Sequence, residues 1–126
     1  MTASLRKRIR ERAGNRCEYC RIREADEFYT YQIEHVVARQ HRGADDDSNL
    51  ALACPSCNRR KGPNLSAIDP ETNLTVPLFN PRTDGWENHF VQRGARIAGL
   101  TPTGRATVRL LEMNHERRLE FRAFVT

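Results

Sequence analysis

With 126 residues the chain has room for one core but not two. Hydrophobic residues make up 38% and charged residues 29%, an apolar supply thin enough to require a further stabiliser. Lys and Arg number 21 against 16 Asp and Glu, a net charge of +5 that favours attraction to polyanions and makes nucleic acid the leading partner class. No stretch approaches the roughly 18–20 apolar residues of a membrane span, and residues 1–12 are basic without the apolar centre of a signal peptide. A cytoplasmic protein is expected, and in that reducing compartment four cysteines read as metal ligands before disulfides.

Taken in chain order, Leu5, Ile9 and Ala13 recur at helical spacing between Ser4, an N-cap type, and Gly14, a C-terminal stop. A short helix over residues 4–13 is therefore predicted, with Arg6, Arg8 and Arg10 among the bases on its other faces. Cys17-Glu18-Tyr19-Cys20 forms a tight knuckle. Residues 28–37, rich in aromatic and β-branched types, suit a strand ending near His35. Residues 41–48 make a polar, glycine-containing loop, and the acidic run Asp45, Asp46, Asp47 reads as solvated in preference to a second metal site. The apolar run at residues 50–53 returns antiparallel to the first strand before a second knuckle, Cys54-Pro55-Ser56-Cys57, and a helical turn that halts at Gly62-Pro63.

Residues 64–85 carry many Pro, Asn, Asp and Thr and few periodic apolar positions, so they are expected to wrap the core without regular structure. Residues 90–100 suit a strand pair or one extended strand. Ala106, Leu110 and Met113 form a helical stripe after the caps Thr101 and Thr103, and Leu119 with Ala123 suggests a last short helix.

The two Cys-x-x-Cys pairs, separated by 33 residues, are the strongest chemical signal. Each pair can bend around one side of a tetrahedral ion, and four thiolates leave no open position, so a structural Zn²⁺ on Cys17, Cys20, Cys54 and Cys57 is expected. Its binding energy would also be folding energy.

Between and just beyond these pairs lie Ile33-Glu34-His35-Val36, then Asn49-Leu50, then Asn58-Arg59-Arg60-Lys61-Gly62 directly after Cys57. Together with the knuckles, these motifs resemble the HNH endonucleases; the likeness is specific over residues 16–62 and weaker around Pro81 to Trp86 and Gly99 to Thr107. The resemblance implies an α+β fold: a small ββα-metal, treble-clef-like core over residues 14–64, stapled by the four-cysteine zinc site, with flanking helices and a C-terminal wrapping segment at 65–126. One nuclease domain would then span residues 1–126.

It further implies that His35 is the general base, that Glu34 and Asn58 hold the catalytic metal, and that Asn49 positions the hairpin carrying His35. The chemistry of these side chains agrees with those roles. An imidazole can accept a proton from water near neutral pH, and Glu34 offers a hard oxygen to Mg²⁺ or Mn²⁺. Many relatives have a histidine where this chain has Asn58, which favours Mg²⁺ or Mn²⁺ over softer ions, and Glu34 stands where Asp is usual.

Arg59, Arg60 and Lys61, following Asn58, join Arg6, Arg8 and Arg10 as candidate phosphate contacts. The implied substrate is DNA, with RNA as an alternative, and the implied setting is a phage or defence system with partner proteins. The competing reading is a zinc-stabilised module that binds nucleic acid without cutting it. The pair Glu34-His35 discriminates the two, because binding does not require it. A third class is an interaction module that acts only beside a partner.

Overall fold

The computed structural model describes residues 1–126, and the mixed helix and strand architecture is as expected. Helix α1 spans Ala3–Arg12 and buries Ile9. Its cap is Thr2, whose hydroxyl accepts the Leu5 N–H at 3.1 Å, so Ser4 lies inside the first turn. Gly14 takes a left-handed φ of +65° just past the helix end, where a side chain would be strained.

Strand β1 is Gln32–His35 and strand β2 is Leu50–Ala53, paired antiparallel with Gln32 opposite Ala53 and His35 opposite Leu50. The strand expected over residues 28–37 is thus only four residues long. Its partner is no longer than that, and Phe28 and Tyr29 extend past the pairing into solvent. All of β2 is buried, on both faces of the two-stranded sheet, which explains its unbroken apolar run. Helix α2, Pro55–Lys61, follows at once, with Pro55 in its first turn and the Cys54 sulfur accepting the Cys57 N–H at 3.3 Å. The order β1, β2, α2 is the expected ββα unit.

The C-terminal half corrects one expectation. Residues 64–85 include a hairpin of β3, Ser66–Ile68, and β4, Thr75–Pro77. Each strand has three residues and is half exposed, too short to leave a periodic signature in the sequence. Its connection is built on Asp69, buried, whose carboxylate accepts from the Glu71 N–H, the Thr72 hydroxyl and the Arg105 guanidinium. A short helix α3, Trp86–His89, leads into the hairpin of β5, Phe90–Arg93, and β6, Arg96–Gly99.

Helix α4, Pro102–Leu110, is capped by the Thr101 hydroxyl and presses closely on that hairpin. A Cβ on Gly104 would lie 2.0 Å from the His89 carbonyl oxygen, so only glycine permits the approach. Met113 is buried but lies past the helix end. Helix α5, Glu116–Val125, forms where expected, yet buries Arg122 while Ala123 is exposed. Arg122 donates to the carbonyls of Ala95 at 2.6 Å and Met113 at 2.9 Å.

One apolar cluster runs through these elements, from Ile9 through Tyr19, Leu50, Leu52, Phe79 and Phe90 to Leu111 and Met113, and it contains all four cysteines. Trp86 is fixed at its edge: the indole N–H donates to the Tyr19 carbonyl at 2.7 Å, and the Arg21 guanidinium sits 4.9 Å above the ring. No helix is long and apolar enough to cross a membrane.

Candidate active site

The first knuckle is held to β2 by Glu18, which accepts the Leu52 N–H at 2.8 Å and pairs with Arg82. The second knuckle begins where β2 ends. This brings the sulfurs of Cys17, Cys20, Cys54 and Cys57 within 4.8 Å of one another, all buried. Cys20 and Cys54 are 3.8 Å apart, and a tetrahedron with metal–sulfur arms of about 2.3 Å has edges of about 3.8 Å. The cluster is compatible with a structural zinc ion. From α5, Arg118 donates to the Cys57 sulfur at 3.1 Å. Hydrogen bonds from the other three cysteines, with help from the Arg118 charge, push the Cys20 thiol well below the ordinary thiol range.

Side chains alternate along β1, so Glu34 and His35 leave the strand on opposite faces. Glu34 points inward. It is buried, accepts a hydrogen bond from the Tyr19 hydroxyl, and lies 3.4 Å from the Lys61 ammonium, which also donates to the Val36 carbonyl at 2.9 Å. Burial pushes the Glu34 carboxyl up, against the pull of Lys61 and Tyr19, and burial together with Glu34 raises the Tyr19 phenol well above its ordinary value.

Asn58, on α2, turns its amide nitrogen to the Gln32 side-chain oxygen at 2.5 Å, which leaves its own side-chain oxygen without a protein partner. The oxygen donors of Glu34 and Asn58 suit a hard cation in kind. A cation at Glu34 would have to take over the contact now made by the Lys61 ammonium.

His35 faces the loop that follows β1. Its Nε2 is 2.7 Å from Asp45 Oδ1, and the same oxygen accepts from Arg39 Nε at 2.7 Å. The Arg39 and His35 contacts hold the Asp45 carboxyl below the usual range. Asn49 ties the loop shut: its side-chain oxygen accepts the Val37 N–H, and its amide donates to the carbonyls of Val37 and Ala44, each at 2.9 Å. Gly43 fits inside this tie, where a Cβ would meet the Val37 carbonyl oxygen at 1.7 Å.

The structure therefore places His35 and Asn49 around one loop and Glu34 and Lys61 in one buried pair, with Asn58 turned to Gln32. The basic candidates divide in the same way. Arg10 is engaged by Glu24 and the Tyr31 carbonyl, Arg60 by Glu112 and Ser56, and Lys61 is 2% exposed. Arg8 lies 3.7 Å from Asp47, while Arg6 and Arg59 are exposed and make no ion pair. Sequence reasoning missed Tyr19, Asp45 and Arg118 as partners of the site. Tyr19 and Arg118 reach it from other elements, and only Asp45, as a carboxylate in the loop after the histidine, carried a local signal.

Residues 17–64 match the family model for HNH endonuclease. The chain is also similar to the Septu protein PtuB of Bacillus thuringiensis, 27% identical over 113 residues that cover 88% of this chain and 41% of that protein. The chain thus spans about two fifths of that relative's length. No solved structure matches it.

Proposed function

We propose, from the HNH endonuclease character of residues 17–64, that the chain is a divalent-metal-dependent endonuclease that hydrolyses phosphodiester bonds in DNA. The observation that carries this reading is the setting of His35, an imidazole at a strand end with one nitrogen bonded to Asp45 and its loop clamped by Asn49. A binding module has no use for such a poised base.

His35 takes a proton from water as the water oxygen bonds to phosphorus, and the bond to the 3′-oxygen breaks on the opposite side. The departing 3′-oxygen takes a proton from solvent water, so the products are 5′-phosphate and 3′-hydroxyl ends. Glu34 and Asn58 would hold Mg²⁺ or Mn²⁺, which requires Glu34 to leave its buried contacts with Lys61 and Tyr19 and turn towards the side of β1 that carries His35. Bound there, the ion would neutralise charge on the phosphate and the leaving oxygen. Arg6, Arg8 and Arg59, on or near the surface, contact phosphates, while Arg10, Arg60 and Lys61 serve inside the fold. Partner proteins of a phage or defence system belong to the same proposal, on the similarity to the Septu protein PtuB.

The test is incubation of the purified protein with supercoiled plasmid across a series of divalent ions. His35→Ala is expected to lower cleavage by about 10²–10⁴-fold while preserving zinc content and DNA binding. Asn58→Ala is expected to raise the Mg²⁺ or Mn²⁺ concentration needed. A His35→Ala protein that cuts at the wild-type rate would leave the zinc-stabilised binding module as the better reading.

A further inference from the structure

Three groups converge on Asp45 Oδ1 and its loop. His35 Nε2 and Arg39 Nε each lie 2.7 Å from that one oxygen. Asp45 directly follows Ala44, whose carbonyl Asn49 holds at 2.9 Å, and the fit of Gly43 against the Val37 carbonyl leaves the loop little room to move. The side chains of Asp45 and Arg39 are exposed, so their ion pair contributes little to stability. What the arrangement does define is the orientation of the imidazole, whose side chain is only 19% exposed.

From this we propose that Asp45 is the positioning residue of His35, holding the proton on Nε2 so that Nδ1 presents the lone pair that accepts the proton of water. The inference rests on the reading of His35 as the base. An ionised carboxylate can only accept hydrogen bonds, so a neutral imidazole against it must donate from Nε2. The free lone pair is then on Nδ1. When Nδ1 takes up the proton of water, the ring becomes an imidazolium with Asp45 already beside it, and the charge that forms is met by a fixed opposite charge. Asp45 itself exchanges no proton. Arg39, bonded to the same oxygen, keeps that oxygen and not its neighbour turned to His35.

The experiment uses the full chain labelled with ¹⁵N-histidine, as wild type, Asp45→Ala and Asp45→Asn. Ring-nitrogen NMR shifts give the His35 tautomer, and plasmid cleavage gives kcat and KM. The wild type is expected to show a single Nε2–H tautomer. Asp45→Ala is expected to show a mixture, with kcat about ten- to a hundredfold lower, KM unchanged and zinc content unchanged. In Asp45→Asn the amide oxygen, pinned by Arg39, can still accept from Nε2. That variant is expected to keep the tautomer and recover only part of the kcat lost in Asp45→Ala, the remainder being the missing charge beside the imidazolium; a pure charge role would leave it as slow as Asp45→Ala.

An Asp45→Ala protein with an unchanged tautomer, or with wild-type kcat, overturns the proposal. If Asp45→Ala fails to fold, Asp45→Asn decides: a kcat unaffected by loss of the Nε2–H tautomer overturns it, and a retained tautomer with a partial loss of kcat supports it. Should His35→Ala cleave as fast as wild type, the nuclease reading fails by itself, and the tautomer shifts still decide whether Asp45 orients the ring.

Discussion

Glu34 and His35 are neighbours in sequence and strangers in space. The two-residue repeat of a strand sends the carboxylate into the protein, to Tyr19 and Lys61, and the imidazole out to Asp45. A charge buried like that of Glu34 must keep a cationic partner, so whatever occupies that position has to exchange with Lys61 and cannot simply be added. Asn49 acts on the other face, where its side chain serves three backbone groups at once. Asn49→Ala leaves those groups without their partner in a position only 8% exposed, and a loss of about 1–3 kcal/mol is expected, read as a lower melting temperature. Because the loop and not the cation contacts is loosened, the cleavage rate should fall with no change in the Mg²⁺ concentration that half-saturates it. A shifted metal requirement would instead place Asn49 among the cation's contacts.

At the scale of elements, what could be read in advance follows from how local the physics is. Helix α1, the β1–β2 hairpin, both knuckles and α2 are specified by caps, a doubly buried apolar run and cysteine spacing, all short-range signals. The β3–β4 hairpin is specified by Asp69 meeting Arg105, 36 residues later, and no window of sequence contains both. The same holds for the candidate site: the cysteine cluster was legible from its spacing and His35 and Asn49 could be named as candidates from their motifs, while Tyr19 on Glu34 and Arg118 on Cys57 depend on tertiary approach.

The Asp69 carboxyl is held far below the usual carboxylate range, first by its hydrogen bonds to Arg105. A depressed acid binds fewer protons folded than unfolded, so its stabilisation is complete above the unfolded value of about 3.9 and is lost as the pH falls towards the folded one. Asp69→Asn is therefore expected to destabilise the protein at pH 7. It should also flatten the decline in melting temperature below about pH 4. An equally steep acid decline in the variant would show that other carboxylates carry it.

At the scale of the whole molecule, the cysteine cluster joins parts of the chain that are far apart in sequence. It links the segment after α1 to the junction of β2 and α2, receives Arg118 from α5, and sits within the single apolar cluster. A Zn²⁺ ion with four thiolates carries a net charge of −2, which is costly to bury without compensation, and the Arg118 guanidinium supplies part of that compensation. Loss of the ion would leave four buried thiols where the ββα unit, α1 and the C-terminal helices meet. Structural zinc in small peptides contributes apparent binding energies of about 10–16 kcal/mol, of the same order as the whole margin of about 5–15 kcal/mol by which a domain is stable. One tightly held zinc per chain is therefore expected on metal analysis, and a strong chelator should abolish the cooperative thermal transition, with zinc release and unfolding in step. Cys54→Ser should give the same outcome without chelator. Arg118→Ala should keep the stoichiometry of one while speeding zinc loss to a colorimetric chelator by about tenfold, because the thiolates lose a charged donor and the knuckle loses its cover. If the zinc-free wild type melts cooperatively at an unchanged temperature, the cluster does not staple this fold, and the apolar cluster alone must sustain it.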